Sequence, residues 1–374
     1  MSVGTIPKEL SRGQGDSCDE STRANLNSFE GYSNNGILND VVFEDQHVIH
    51  STALSEPIKS LIFDEQGLKK IISLLELGRH KLYGDIILIH KCVETLLARK
   101  GTDCMNMIIR HNVVAALHAT IDWCTNGIPS KQWNDDQKKV IVGYLCVENS
   151  LRLISKVTGL ASAENIPWAH LCDQCCDLLF DSIVYKKRKN ILYFLFQILA
   201  NILKKDEFLA KLSKRDSISG LLKYATLYSN DRSLTAVILV CISSLLRGGR
   251  NKRARDYLLD RDGMDLIIDS MYLEDHTIIL HATTILNCLI ISCVDGMHRA
   301  CEYESCENYA MTRMLVKYLS IFRTGDPIHR GIQKNILSLF VCLSKVGRKA
   351  RDLLKTGLDL GLTMWTLNAI KDFP

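Results

Sequence analysis

A five-residue pattern recurs three times in the C-terminal part of the chain, and its spacing constrains the fold more than any other feature. Residues 253–257 read R-A-R-D-Y, residues 299–303 read R-A-C-E-Y and residues 349–353 read K-A-R-D-L, 46 and then 50 residues apart. Each copy is a base, Ala, any residue, an acid and a bulky apolar side chain. The echo extends into the surroundings. Apolar runs occur at 236–246 (AVILVCISSLL), 282–292 (ATTILNCLIIS) and 334–344 (KNILSLFVCLS), and Ala236 and Ala282 are again 46 apart. A polar break with Gly then opens another apolar period at Gly263, Met264, Ile267 and Ile268. An early copy of that period is Gly67, Leu68, Ile71 and Ile72, and a weaker one is RDSISGLLKYATLYSND at 215–231. The unit is therefore a helix, a polar joint, a short helix carrying the recurrent pattern, a Gly break and a further helix. It repeats at about 45 residues and cannot bury its apolar faces alone, so neighbouring units must stack. The base and the acid stand three residues apart, a helical-face spacing that suits a modest ion pair, which gives the pattern a structural reason.

The rest of the chain agrees with helices. Apolar residues make up 47% and charged residues 24% of 374 positions, a balance that can bury a core. Six prolines and 22 glycines are too few for the many turns of an all-β chain. From about residue 55, apolar side chains recur at three- and four-residue spacing. Asp326-Pro327 is a start signal, an N-cap acid followed by Pro at the first helical position. Gly67, Asn112, Gly263 and Gly357 are read as joints. The fold class expected is all-α, a solenoid of stacked repeats over 55–374. Residues 1–54 read as a disordered, acidic and polar tail. Up to residue 50 they carry eight acids against three bases and sustain no helical period.

The net charge of +4 does not by itself imply nucleic acid or membrane. The 14 cysteines do not behave as a disulfide framework. Cys241, Cys288, Cys293 and Cys342 sit inside apolar runs, where a free Cys acts as a small hydrophobe. No charged-then-apolar leader opens the chain, so reduced thiols in the cytoplasm are expected, with the nucleus as a second compartment. The apolar stretch Ile191–Leu203 is too short to span a bilayer and long enough for a buried helix. Thr277–Val294 has the length but carries His281, Asn287 and several hydroxyls.

Gly67–Leu75, with its G-φ-x-x-φ-φ-x-φ-φ form, resembles the third helix of an armadillo repeat, and 236–273 resembles a whole repeat. The resemblance covers 205–345 and 57–125 and is lost over 126–200, where ASAENIPWAH interrupts the period. It implies a right-handed superhelix of three-helix units whose third helices line a concave groove for an extended peptide or a partner's surface. Those helices would lie near 67–77, 112–122, 217–228, 263–273, 311–322 and 357–369. Their non-core positions give the groove candidates Lys70, Ser73, His118, Lys223, Asp269 and Lys317. Nuclear-import adaptors of this family carry Trp, three residues, then Asn. Here the residues four after Trp123, Trp133, Trp168 and Trp365 are Gly127, Gln137, Cys172 and Ala369, which disfavours that subfamily.

Other constellations carry less. His170–Cys176 (H-L-C-D-Q-C-C) holds a C-x-x-C, but no second thiol or His pair stands at a zinc-finger distance. Cys172, Cys175 and Cys176 share one helical face, the stripe expected of core packing. D-R-D-G-M-D (260–265) fails as a calcium loop because its Gly is fourth, and Met271 stands where Glu is needed. Two basic clusters, Lys186, Lys187, Arg188 and Lys189, then Arg247, Arg250, Lys252, Arg253 and Arg255, suit an acidic partner, a localisation signal or nucleic acid. No phosphate-binding loop, dinucleotide fingerprint, zinc-protease motif or nucleophile elbow is present. The expectation is a non-catalytic scaffold or adaptor that binds a protein or extended peptide, without cofactor or metal. A nucleic-acid-associated protein using the basic clusters is the alternative, and direct nucleic-acid contact is the minor reading.

Overall fold

A computed structural model describes residues 113–127, 137–160, 166–181, 188–214, 217–247, 252–260, 262–291, 293–322 and 326–361. It also describes the single positions Lys69, His90, Val93, Glu94, Asn106, Ile108 and Ile109. The tail 1–54 and the expected helix 67–77 lie outside these residues, apart from Lys69.

Among the described residues there is no strand, and the regular structure is helical throughout. The helices are α1 (Val113–Gly127), α2 (Gln137–Leu160), α3 (Trp168–Cys176), α4 (Lys189–Ile202), α5 (Asp206–Lys214), α6 (Ser217–Leu227) and α7 (Arg232–Leu246). They continue as α8 (Lys252–Asp260), α9 (Gly263–Ser270), α10 (His276–Ile290), α11 (Val294–Cys306), α12 (Ala310–Ile321), α13 (Pro327–Ser344) and α14 (Arg348–Gly361). A π-helical turn, Asp177–Asp181, follows α3, and a 3-10 turn, Met271–Leu273, follows α9. No described helix is long and apolar enough to cross a membrane.

Three of the long helices begin the same way. The Asp231 carboxylate accepts from Leu234 N at 3.2 Å, that of Asp275 from Thr277 N and Ile278 N at 2.8 and 3.1 Å, and that of Asp326 from Ile328 N at 2.7 Å. Each satisfies donors that a helix start leaves without a partner. The Asp326-Pro327 signal is thus realised at the start of α13.

Five long helices form a sequential row: α2 packs on α4, α4 on α7, α7 on α10 and α10 on α13. Their inner faces supply a little under half of the buried apolar side chains among the described residues. In α4, Ile191, Leu192, Leu195, Phe196, Ile198, Leu199 and Ile202 are buried, which is the core helix read from Ile191–Leu203. Each such side chain contributes about 1.5–3 kcal/mol relative to exposure. Polar ties run along the row. Asn201 Nδ2 on α4 donates to Ser155 O and Thr158 Oγ1 on α2, at 3.4 and 3.2 Å. Asn335 Nδ2 on α13 donates to Thr283 Oγ1 and Thr284 Oγ1 on α10, at 3.2 and 2.9 Å.

The recurrent pattern has a different cause from the one its charges suggest. Its alanines, Ala254 on α8, Ala300 on α11 and Ala350 on α14, are all buried. Four residues on, Leu258, Glu304 and Leu354 are buried as well, so Ala and its i+4 neighbour form the packed stripe of each short helix. The expected ion pair is realised at Arg299–Glu302, at 4.0 Å, but Arg299 stands closer to Asp262 and Asp265, at 3.2 Å each. Asp256 pairs instead with its neighbour Arg255, at 3.8 Å. Close packing admits only a small side chain here, and the base and acid sit on the wet side.

Gly263 and Gly357 separate two uses of glycine. Gly263 opens α9 behind Asp262, whose φ is +55°, and a Cβ on it would lie 2.7 Å from the Leu258 carbonyl oxygen. The joint read there is real, since α8 ends at Asp260 and α9 begins at Gly263. Gly357 is not a joint. It lies inside α14, which runs from Arg348 to Gly361, so the helix expected to begin at 357 begins earlier. Its Cβ would stand 3.1 Å from the Cβ atoms of Thr312 and Tyr309 on the α12 side. Glycine there allows close approach of two helices. Residues past 361 lie outside the described set.

Candidate functional site

The groove candidates divide into three groups. Lys70 and Ser73 lie outside the described residues. Lys223 on α6, Asp269 on α9 and Lys317 on α12 are exposed. His118 on α1 is not a surface position. It is 4% exposed and stacks on His170, so the expectation that it is non-core is corrected.

Two of these three helices, α6 and α12, are each pinned by a buried tyrosine hydroxyl. Tyr224, next to Lys223, donates its hydroxyl to Leu179 O at 2.6 Å, in the turn that follows α3. Tyr318, next to Lys317, donates to Met271 O at 2.6 Å, in the turn that follows α9. Both tyrosines are buried, and burial pushes each phenol up to about 12, so both stay protonated donors. With the Tyr side fixed inward, the adjacent Lys faces water. One turn on, Leu227, Tyr272 and Ile321 are 65%, 59% and 53% exposed. Large apolar side chains left in water at repeat spacing mark a contact surface more than scattered ones do.

The electrostatics of this face alternate. Lys317 pairs with Glu274, both more than half exposed, and the ammonium holds the Glu274 carboxyl below its ordinary range. Around α9 the sign reverses. Burial, with Asp265 and Glu307 nearby, raises the Asp269 carboxyl. Arg299 spans Asp262 and Asp265. Glu304 is buried and accepts from Thr312 N through both oxygens, at 3.2 and 3.4 Å, which caps the first turn of α12. Burial raises its carboxyl.

The basic clusters are largely turned to structural use where they are described. Lys186, Lys187 and Arg250 lie outside the described residues. Arg188 sits over the Tyr144 ring of α2 at 4.4 Å. Lys189 pairs with Asp231 at 3.1 Å, and Arg247 donates to Leu203 O at 2.7 Å. Lys252 and Arg253 are exposed, and Arg255 is half-buried beside Asp256.

The stretch 170–176 lies in α3, with Cys172, Cys175 and Cys176 buried on one stripe. The eleven described cysteines are all free thiols. Burial pushes the Cys175 thiol well up, whereas a hydrogen bond from Cys176 and the Lys211 charge lower that of Cys172. His170 turns away from these thiols. It stacks on His118 with ring centroids 4.0 Å apart and planes at 22°. His118 Nδ1 lies 3.1 Å from Asp122 Oδ2, and Gln174 Nε2 donates to Asp122 Oδ1 at 2.8 Å. The His118–Asp122 spacing, four residues on one helix, is visible in the sequence. Its meeting with His170 is a tertiary fact. No protein-family model and no curated protein matches the chain.

Proposed function

We propose that the chain is a non-catalytic interaction scaffold, an armadillo-like α-solenoid that holds a partner protein or an extended peptide along α6, α9 and α12. The repeat domain takes in 55–374, with 1–54 as its tail, and the protein works in the cytoplasm, with the nucleus as a second compartment. The observation that carries this reading is the face just described. Lys223, Asp269 and Lys317 are exposed at equivalent positions, each followed within about a turn by an exposed Leu227, Tyr272 or Ile321. Charged groups on a rigid backbone give register to a ligand, and the apolar side chains supply area to bury. The row α2, α4, α7, α10, α13 supports the solenoid, because a stacked array needs each unit to close its neighbour's core. The nucleic-acid alternative has less behind it, since Arg188, Lys189 and Arg247 are committed to contacts within the chain.

The test is quantitative affinity capture with the full chain beside a variant carrying Lys223→Glu, Asp269→Lys and Tyr272→Ala. Equal helicity by circular dichroism is the entry condition. Partners depleted from the variant and retained by an Arg253→Glu control support the reading. Identical partner sets from both baits refute it.

A further inference from the structure

We propose that His118, Asp122 and His170 form a binding site for one divalent transition-metal ion of the zinc class, which clamps α1 to α3. One nitrogen or oxygen of each side chain lies within 4.8 Å of the other two, and this is the one such group among the described residues. Metal–ligand bonds to His and Asp are about 2.0–2.2 Å, so donors around one ion stand roughly 3–3.5 Å apart. The His118–Asp122 pair, at 3.1 Å, already has that spacing. His170 has to turn its ring out of the stack and draw in by at most about 1.8 Å, a small change for an exposed side chain on a helix surface.

The surroundings fit an ion better than they fit a plain His–Asp contact. His118 is 4% exposed, and its Nδ1, the nitrogen facing Asp122 Oδ2, is the one that would bind the ion. Gln174 donates to Asp122 Oδ1 at 2.8 Å and reaches His118 O at 3.4 Å. It fixes the carboxylate with Oδ2 toward His118, the role an outer-shell amide plays around a metal. Two imidazoles with one carboxylate suit zinc, cobalt, nickel or copper, whereas calcium and magnesium prefer oxygen alone. The location has a mechanical reason too. The clamp would tie α1 to α3, two helices separated in sequence by α2.

The experiment uses the reduced, chelator-treated full chain and cobalt(II) as the probe, read by visible absorption and by thermal denaturation. The expected result is one ion per chain, a ligand-field spectrum without a thiolate-to-metal charge-transfer band, and a raised melting temperature. His170→Ala, at an exposed position, abolishes the spectrum while leaving helicity and the metal-free melting temperature unchanged. Asp122→Asn weakens binding in the same way, and Gln174→Ala lowers affinity by about 10-fold or more. A charge-transfer band would place the ion on the cysteines of α3 and overturn the proposal. Absence of binding, or binding that His170→Ala leaves intact, would overturn it equally.

Discussion

If close packing explains the recurrent base-Ala-x-acid pattern, enlarging the alanine must harm the fold more than deleting the charge beside it. Ala300 and Arg299 are adjacent on α11 and separate the two causes. Ala300 is 0% exposed. Replacing it with Leu adds three carbons to a filled interior, an overpacking that costs about 1–3 kcal/mol. Arg299 touches Asp262, Asp265 and Glu302, but its own side chain is 34% exposed, and those of Asp262 and Glu302 are 86% and 70% exposed. Exposed pairs of this kind are worth about 0–1 kcal/mol. A loss of 2 kcal/mol lowers the melting temperature by roughly 4–8 °C for a domain of about 200 residues, and less for a larger one. Thermal scans by far-UV circular dichroism should therefore rank Ala300→Leu well below wild type and Arg299→Ala within about a degree or two. The reverse ranking would refute the packing explanation and restore the ion pair as the reason for the pattern.

Two further predictions concern pH. Burial holds the Glu304 carboxyl above its ordinary range, so the folded state binds this proton more tightly than the unfolded state. Its contribution is complete below the ordinary carboxylate range and is lost as pH rises through the folded value. Glu304→Gln keeps an acceptor for Thr312 N and should flatten the melting temperature over that window, whereas Glu304→Ala strands the donor and costs about 1–3 kcal/mol. A Gln variant with the wild-type slope would contradict this. His90 works in the opposite direction. Burial, with Arg152 nearby, lowers its pKa from 6.5 to about 3, and its Nε2 lies 2.9 Å from Ser150 Oγ. Stability from neutral His90 is present above pH 6.5 and is lost as pH falls toward 3. His90→Asn should remove that acid-side slope in stability measured by urea titration, and an unchanged slope would show that another group sets it.

Local chemistry made much of the fold legible. Three- and four-residue apolar spacing, few glycines and prolines, and acids such as Asp326 placed before a helix report the backbone's own preferences, which neighbours along the chain satisfy. That is why α4, α10 and α13 could be read directly. Gly263 and Gly357 look alike in sequence because both lack a Cβ. At Gly263 the missing Cβ lets the start of α9 pass close to the Leu258 carbonyl, at Gly357 it lets α14 approach Thr312, and only the neighbouring chain tells them apart. His118 shows the same limit. Helical spacing put it opposite the core stripe, but α3 covers that face and leaves it 4% exposed against His170, 52 residues away. The exposure of Lys223, Asp269 and Lys317 was legible because register along a helix is a local property. Which side chains cross from one helix to the next, Tyr224 to Leu179, Tyr318 to Met271, Gln174 to Asp122, was decided by tertiary packing. Such contacts depend on how far apart two helix axes settle, and no single segment encodes that distance.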